Sequence, residues 1–485
     1  MRNTASRSLR RLALALPVFL AACGGGSDGP PGAGSCSVAD ENAFLASYFD
    51  DNYFWYRLSP KPLPADFATT AAYFDALLYR GGDAIPNGGG ATWPSDRYSG
   101  FQSTASFNQF FGDGQTLSYG LAVAGLEVTG QPNAPLYVRY LEPAGPAAQA
   151  GVVRGERVMS LNGRPASDII AADDFSVLTP NAAGDVLDVV LRNAAWQDSS
   201  VRLTATTFSL TPVQSGQVVQ SQNGQRIGYV FVKDMISQVG SPLASVMTSF
   251  RTQGIQQLVL DLRYNGGGLV STGAIVASYG AGNRGSGQVY TRLLYNDKQS
   301  GSNQTFNFSN PGAWAGFAKV YVLAGERTCS ASEQVINGLR GVGVDAVLIG
   351  DVTCGKPVGF LPRDNACGTT YSVVNFEGVN ALNEGRYFNG LTPTCAVAED
   401  FSRDIGALED PLLVAAAYHV DNGACPVALT RESPSSRSGA VRKRYSGADG
   451  GGFERFGEVG HGDRIVGFTR YMNRCSPAFS PPSTT

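Results

Sequence analysis

Residues 258–268 read LVLDLRYNGGG, an apolar run that passes through a charged turn into three glycines. Such a run is typical of a buried strand, and the glycines predict a flexible turn after it. Between about residues 209 and 425, similar apolar runs alternate with helical stretches, the clearest being 227–232, 320–323 and 346–349. This alternation predicts an α/β layer structure, with the glycine turn at the end of one strand.

Two later segments of this region contain reactive side chains. Residues 328–333 read TCSASE and residues 353–356 read TCGK. A serine hydroxyl is a poor nucleophile at neutral pH, and a desolvated lysine can remove its proton. Histidine is the usual alternative base, but the chain has only two, one in an apolar C-terminal stretch and one in a glycine-rich tail. We therefore predict Ser330 as the nucleophile and Lys356 as its base.

Each segment also has a plainer interpretation. Ser330 and Glu333 have the spacing of a capping box, in which both side chains satisfy free backbone donors at a helix start. Lys356 follows a glycine, as in an ordinary solvated turn. By itself, the glycine segment is a flexible turn after a buried strand and has no catalytic role. Catalysis is favoured because the three patterns occur in order and their chemical roles complete one another.

In this order, the three segments resemble the C-terminal processing peptidases, or tail-specific proteases, of the S41 serine peptidase family. The family pattern is Asp-Leu-Arg-x-Asn-x-Gly-Gly, then Ser-Ala-Ser-Glu, then Thr-x-Gly-Lys, and the resemblance extends over roughly residues 117–425. It implies that Ser330 is the nucleophile and Lys356 the base. It also implies an α/β peptidase domain similar to the crotonase and Clp protease folds.

The surroundings of the lysine include one departure from that family. A glutamine that orients the lysine often stands four residues after it, whereas this chain has Phe360. The third catalytic member is therefore open. To act as a base the lysine must be largely neutral, which requires burial against apolar groups such as Val358 or Phe360.

The serine reaction also needs donors for the oxyanion that forms. A serine at a helix start lies beside unpaired N–H groups and the positive end of the helix dipole, so Ala331 is a candidate donor. Glycines let the backbone approach a substrate carbonyl closely, and Gly267 or Gly268 would supply the second donor.

Residues 137–163 form a second recognisable unit upstream. A strand at 137–139 is followed by a small-residue stretch at 143–151 and by the hairpin turn of Asn162 and Gly163. This pattern looks like a PDZ domain of the permuted kind found in bacterial proteases. It implies that a peptide C-terminus binds by strand addition, with its carboxylate in a nest of N–H groups. The candidate carboxylate loop is Tyr119, Gly120, Leu121 and Ala122. The alternative for this loop is a strand start in a small β-barrel.

The N-terminus resembles a bacterial lipoprotein signal. Arginines precede the apolar run 12–20, and the sequence LAAC ends at Cys23. This implies lipidation of Cys23 and an anchor in the cell envelope, with Gly24 resembling default sorting to the outer membrane, facing the periplasm. The alternative is secretion after ordinary cleavage.

These observations divide the 485 residues into six parts. The aromatic residues of the N-terminal helical part recur at helical spacing and are predicted to be core, and the Ser/Gly/Pro-rich C-terminus is predicted to be disordered. The parts are a signal and lipidated cysteine at 1–23, a tether at 24–35, a small helical domain at 36–112, the PDZ domain at 117–208, the peptidase domain at 209–425 and an extension at 426–485.

Composition narrows the choice of partners and cofactors. A net charge of −3 gives no indication of nucleic-acid binding, and no Cys or His pair has zinc-like spacing. We expect no cofactor and no metal.

Of the seven cysteines left beside Cys23, Cys354 with Cys367 and Cys395 with Cys425 are plausible disulfides. Cys329 is expected to be a small packed residue, with a role as thiol nucleophile as the alternative.

Two functions remain after these arguments. The first is an envelope endopeptidase that cleaves protein or peptide substrates through a Ser–Lys dyad and an acyl-enzyme. The second is a catalytically silent protein that binds a peptide or ligand on a peptidase fold. Retention of both Ser330 and Lys356 favours the enzyme, because a binding protein has no need of both.

Overall fold

The computed structural model describes residues 36–427 except 87, 129–134, 173, 313–315 and 318, together with residues 442–446. The first part of the chain is mainly helical, and three of its helices begin at Ser or Thr caps that accept backbone N–H groups. Its elements are α1 (Val38–Asn52), α2 (Thr70–Leu77), β1 (Gly100–Ser103) and α3 (Thr104–Phe111).

The central part is a small β-domain with two short helices. Its main sheet has the order β3-β4-β5-β7-β8, β6 pairs with β5, and β2 pairs with β9. The predicted hairpin is present, with Asn162 and Gly163 both at positive φ between β5 and β6. The elements are β2 (Gln115–Ser118), β3 (Leu121–Val128), β4 (Leu136–Leu141), α4 (Pro146–Gln149), β5 (Arg157–Leu161), β6 (Arg164–Pro165), α5 (Ala166–Ala172), β7 (Val186–Arg192), β8 (Asp198–Thr204) and β9 (Thr206–Ser209).

The third part is the predicted α/β layer structure. It is built around one largely parallel sheet and one smaller antiparallel sheet. The elements are β10 (Val213–Gln220), β11 (Arg226–Val232), α6 (Gly240–Thr252), β12 (Gln257–Asp261), α7 (Val270–Ala281), β13 (Val289–Tyr295), β14 (Gln304–Asn307), β15 (Lys319–Ala324), α8 (Ala331–Gly341), β16 (Asp345–Gly350), β17 (Val358–Gly359), β18 (Arg363–Asp364), β19 (Thr369–Ser372), β20 (Phe376–Val379), β21 (Cys395–Ala396) and α9 (Pro411–Asn422).

The larger sheet places the three predicted motifs at one edge. Its order is β10-β11-β12-β15-β16-β21, with β11 to β21 parallel. The glycine turn follows β12, the serine follows β15 and the lysine follows β16. Because the carboxyl ends of parallel strands meet at the same edge, these connections converge. Helices α6, α7 and α8 cover one face of the sheet, and α9 covers the other.

The N-terminal part, predicted as a small helical domain at 36–112, packs against the third part. Strand β1 pairs with β19 of the third part. The aromatic residues of α1 and α2 do lie in a core, as predicted, but that core also contains Tyr371, Val373 and Val374. Packing against the third part supplies the apolar cover that so short a segment cannot supply for itself.

The structure contains three disulfides within the described residues. The predicted bond between Cys395 and Cys425 is confirmed. The predicted bond between Cys354 and Cys367 is wrong, because Cys354 pairs with Cys329 and Cys367 pairs with Cys36. Cys36 and Cys367 are 331 residues apart in the sequence. Cys329 and Cys354 follow β15 and β16, which are neighbouring parallel strands.

The predicted lipid anchor and C-terminal extension lie at the two ends of the chain, of which the structure describes only a small part. Residues 442–446 form β22 (Arg442–Ser446), which pairs antiparallel with β3. This piece of the extension is therefore a strand, contrary to the prediction of disorder. The rest of the extension beyond 427, the tether and the signal with Cys23 lie outside the described residues. Across the described chain, no helix is both long and apolar enough to cross a membrane.

Asp261 and Arg263, two residues of the glycine-turn motif, form a buried ion pair that stabilises the fold. Arg263 is buried and donates hydrogen bonds to Asp261 in the same motif and to Asp410, the cap of α9. This group ties the turn after β12 to the start of α9 across the sheet.

We expect Arg263→Leu to lower the free energy of unfolding by about 3–5 kcal/mol, because it leaves two buried carboxylates without their cation. Urea unfolding followed by tryptophan fluorescence measures this. The matched control is Arg202→Leu, which removes an exposed partner of Asp188 and should change the free energy of unfolding far less. Equal effects of the two changes would contradict the structural role.

Candidate active site

Ser330 lies in a sharp turn between β15 and α8. It is the residue before the first turn of α8, and its φ of 56° and ψ of −117° are unusual for a residue with a side chain. Only 9% of the residue is exposed. Unusual backbone geometry held by surrounding structure is common at active sites. The turn presents the serine at the positive end of the α8 dipole.

Lys356 lies in the loop between β16 and β17 and is buried, as the predicted base requires. Its Nζ atom lies 4.4 Å from the centre of the Phe360 ring and 6.0 Å from that of Tyr98. Burial lowers the pKa of Lys356 to about 7, although the nearby charges of Asp96 and Glu333 act in the opposite direction. A large fraction of the amine is therefore neutral near pH 7, and Phe360 contributes apolar cover at the position where the family often has glutamine.

A single buried carboxylate joins the serine turn to the lysine loop. Glu333 Oε2 accepts the N–H of Ser330 at 3.0 Å and the N–H of Lys356 at 2.8 Å. Its Oε1 accepts the N–H of Gly355 at 2.8 Å and the hydroxyl of Thr353. Burial raises the pKa of Glu333 despite these donors. The capping-box spacing predicted the contact with Ser330, but no sequence signal indicated that the same carboxylate also holds the lysine loop.

The same two loops are bonded covalently through Cys329 and Cys354. Cys329 is the residue before Ser330, and Cys354 is two residues before Lys356. A sulfur in a disulfide is not a thiolate, so the alternative role of Cys329 as nucleophile does not apply to this state.

The predicted oxyanion donors lie beside the serine turn. The N–H of Ala331, at the first position of α8, has no hydrogen-bond partner within the described residues. A Cβ built on Gly267 would lie 2.8 Å from the Ser330 Cβ, so only glycine fits this close approach. The Gly267 N–H is donated to Asn265 Oδ1. The Gly268 N–H has no hydrogen-bond partner among the described residues, so of the two predicted glycines it is the one with an available donor.

The N-terminal part supplies groups that the sequence did not indicate as part of the site. Tyr98 donates its hydroxyl to the carbonyl of Gly355 at 2.6 Å, and Arg97 donates to the carbonyl of Cys354. Asp96 is buried and contributes negative charge near Lys356. Residues 96–98 thus form one wall of the lysine loop, although they lie more than 200 residues away in sequence.

Two other sets of predicted residues lie elsewhere. His419 lies on α9, where its ring packs against Tyr321 on the face opposite α8. His461 lies outside the described residues.

The candidate carboxylate loop lies at the start of β3, in the central β-domain, and part of its backbone already forms hydrogen bonds within the domain. The Gly120 N–H is donated to Ser118 Oγ at 3.0 Å, and the Tyr119 carbonyl accepts from Ala147. Leu121 and Ala122 pair with β4.

Comparison with known proteins finds similarities for the part of the chain that carries this site. The sequence model of Peptidase family S41 matches residues 226–397, which contain Ser330, Lys356 and the glycine turn. The carboxyl-terminal-processing protease of Picosynechococcus sp. is 24% identical over 261 residues, or 53% of this chain and 60% of that protein. The chloroplastic carboxyl-terminal-processing peptidase 2 of Arabidopsis thaliana is 23% identical over 314 residues, or 63% of this chain and 58% of that protein.

The chain thus spans about three fifths of the length of these two curated relatives. A crystal structure of a candidate S41 protease from Bacteroides fragilis matches with a TM-score of 0.59 and 24% identity, covering 78% of this chain and 97% of that one. This similarity shows a shared fold. Residues 226–397, which carry the site, are thus the part of this chain that is similar to Peptidase family S41.

Burial of Lys356 should carry a pH-dependent cost in stability. Because its pKa in the folded chain lies below the ordinary 10.5, folding is penalised at every pH at which the unfolded chain is protonated on this group. The penalty is greatest below about pH 7, where the folded protein must bury the charged form, and it shrinks as pH rises towards 10.5. Lys356→Met should therefore raise the free energy of unfolding by about 2–4 kcal/mol at pH 6 and by much less at pH 9.5.

Denaturant unfolding at the two pH values checks this expectation. The matched control is Lys319→Met, at a lysine whose side chain is 44% exposed and faces Asp345. It should change stability little at either pH. A gain for Lys356→Met that is equal at both pH values would show that the lysine is not desolvated.

Proposed function

We propose that this chain is a serine endopeptidase that cleaves protein or peptide substrates through Ser330 and Lys356. The observation that carries the proposal is the joining of both residues to one buried carboxylate, Glu333, in a site that lowers the pKa of the lysine to about 7. A lysine held largely neutral near physiological pH is what a serine nucleophile needs for a base. The S41 match over this domain supports the same reaction class.

The proposed reaction has two halves. The neutral amine of Lys356 takes the proton of Ser330 as its Oγ attacks the scissile carbonyl, and the resulting oxyanion is stabilised by the N–H groups of Ala331 and Gly268. The ammonium then gives its proton to the leaving amine, which releases the first product and leaves an acyl-enzyme ester. Water, with Lys356 as base, cleaves that ester and restores the serine. Glu333 and Phe360 position and desolvate the lysine in both halves.

We expect Ser330→Ala to abolish peptide cleavage and Lys356→Arg to be as damaging as Lys356→Ala. Alanine removes the attacking oxygen, and arginine stays protonated and cannot accept a proton. In the wild type, kcat/KM should rise with pH through about 7, because only the deprotonated lysine is competent. Cleavage of a fluorogenic peptide and labelling by a fluorophosphonate report these changes.

The matched control is Lys319→Arg, which keeps an exposed charge and should leave both readouts unchanged. Substantial cleavage by Lys356→Arg would show that another group is the base. A folded wild type that neither reacts with the fluorophosphonate nor cleaves peptides would favour the silent binding protein instead.

We further propose that the central β-domain is a PDZ domain that binds substrate C-termini along β3. The antiparallel pairing of β22 with β3, from Ser446 opposite Ala124 to Arg442 opposite Val128, supports this role, since it is a strand addition at that edge. The C-terminal end of β22 lies nearest the candidate loop formed by Tyr119, Gly120, Leu121 and Ala122. A bound C-terminus running in the same direction would place its carboxylate there.

Peptides with a free C-terminal carboxylate and a small or apolar last residue should therefore bind more tightly than the same peptides amidated. Fluorescence anisotropy with the Ser330→Ala protein measures this without cleavage. The expected difference is at least about fivefold, because a nest of N–H groups favours the charged group. Equal affinities would assign the domain a scaffolding role.

We also propose that Cys23 carries a lipid anchor that holds the protein in the bacterial cell envelope. The support is the signal-like N-terminus with its LAAC sequence. Two or three acyl chains provide stable anchoring that a single chain does not. The anchor would determine which substrates the peptidase meets, not its chemistry.

A further inference from the structure

The disulfide between Cys329 and Cys354 lies where the catalytic segments meet. It links the residue before the nucleophile to the loop of the base, across 25 residues of sequence and a Cα–Cα distance of 5.2 Å. The backbone N–H of Cys329 is also donated to the carbonyl of Asn265 in the glycine turn, at 3.1 Å. The N–H of Cys354 is donated to the carbonyl of Thr328. Three motif segments therefore converge on this bond.

The remaining links between the serine turn and the lysine loop are noncovalent. Glu333 accepts hydrogen bonds from both, and Cys354 Sγ lies 3.5 Å from Glu333 Oε2. Misplacement of a catalytic group by about 1 Å can cost on the order of a hundredfold in rate. A covalent bond one residue from the nucleophile and two residues from the base is well placed to prevent such misplacement.

We propose that the Cys329–Cys354 disulfide positions the nucleophile against its base, and that reduction of this bond switches the peptidase to a low-activity state. This inference rests on the proposed function. Cys329 and Cys354 are positioning residues, since neither sulfur attacks the substrate. The peptidase would then be fully active only where the surroundings keep the pair oxidised.

The switching step is ordinary thiol–disulfide exchange with a dithiol. One thiolate of the reductant attacks a sulfur of the pair, the S–S bond breaks, and a mixed disulfide forms. The second thiol of the reductant then displaces the remaining cysteine, so that the protein gains two electrons and two protons while the dithiol becomes a disulfide. Cys329 and Cys354 are half-buried rather than enclosed, which leaves them accessible to a small reductant. An external disulfide reverses the exchange.

The other two disulfides lie in other parts of the chain. Cys36 with Cys367 ties the beginning of α1 to the turn between β18 and β19, and Cys395 with Cys425 ties β21 to the segment after α9. Neither includes a residue of the three catalytic motifs. Their reduction should affect stability but not the geometry of Ser330.

The experiment compares the wild type with Cys329→Ala/Cys354→Ala and Cys36→Ala/Cys367→Ala. Each protein is assayed with and without dithiothreitol, and again after return to oxidised glutathione. EDTA is present throughout, because the freed thiols and Glu333 lie within 4.8 Å of one another and could hold a metal ion. Readouts are the rate of fluorophosphonate labelling, peptide kcat and KM across pH, and circular dichroism.

Reduction of the wild type should lower the labelling rate and kcat at least about tenfold, with KM changed less than about twofold. Activity should return on reoxidation. The rise of kcat/KM with pH should move to higher pH in the reduced protein, because a loosened loop admits water to Lys356. The Cys329→Ala/Cys354→Ala protein should be slow under both conditions, and the Cys36→Ala/Cys367→Ala protein should respond to reductant as the wild type does.

An active wild type that keeps its labelling rate after the bond is reduced would overturn the inference. So would a Cys329→Ala/Cys354→Ala protein with wild-type kcat, or a loss of activity that coincides with loss of the circular dichroism signal, since the latter indicates a role in the whole fold. Failure of the oxidised wild type to be labelled at all would instead overturn the proposed function on which the inference rests.

Discussion

The arrangement of the site depends on the buried carboxylate of Glu333. Its two oxygens accept hydrogen bonds from the serine turn and from three residues of the lysine loop, namely Thr353, Gly355 and Lys356. A buried carboxylate is tolerated only when such donors replace its lost hydration. Removing any one segment would leave the charge without part of its compensation. The cost of burying Glu333 therefore enforces the placement of Ser330 relative to Lys356.

The electrostatics of Lys356 follow from the same enclosure. Apolar and aromatic neighbours exclude water from its amine, and the resulting desolvation outweighs the attraction of Asp96 and Glu333. The pKa falls to about 7, which suits a base that must both accept and return a proton. A more open loop would leave the lysine charged and inert, so the cover given by Phe360 and Tyr98 belongs to the chemistry as much as to the packing.

The other parts of the chain reach this centre through side-chain hydrogen bonds. Residues 96–98 of the N-terminal part hold the lysine loop from one side. The central β-domain contacts the glycine turn through Arg154, which donates to the hydroxyl of Tyr264 at 2.7 Å and to Glu399 at 2.8 Å. The site within residues 226–397 thus receives its walls from segments outside that region.

The sequence alone determined the elements whose signal is local. The apolar runs predicted strands β11, β12, β15 and β16, and their parallel arrangement is enough to bring the ends that carry Gly268, Ser330 and Lys356 to one edge. The spacing of Ser330 and Glu333 predicted a helix start. These predictions succeeded because side-chain periodicity and turn chemistry are encoded in neighbouring residues.

Only the tertiary structure decided the contacts between distant segments. The pairing of Cys354 with Cys329, the reach of Glu333 to the lysine loop and the wall formed by residues 96–98 depend on how strands order themselves in the sheet and on which surfaces the N-terminal part covers. A sequence gives the distance between two cysteines along the chain, but not the loop geometry that brings two sulfurs together. For the same reason the lowered pKa of Lys356 could be required by the chemistry but not read from the sequence, because it is set by burial, and burial exists only once the chain has folded.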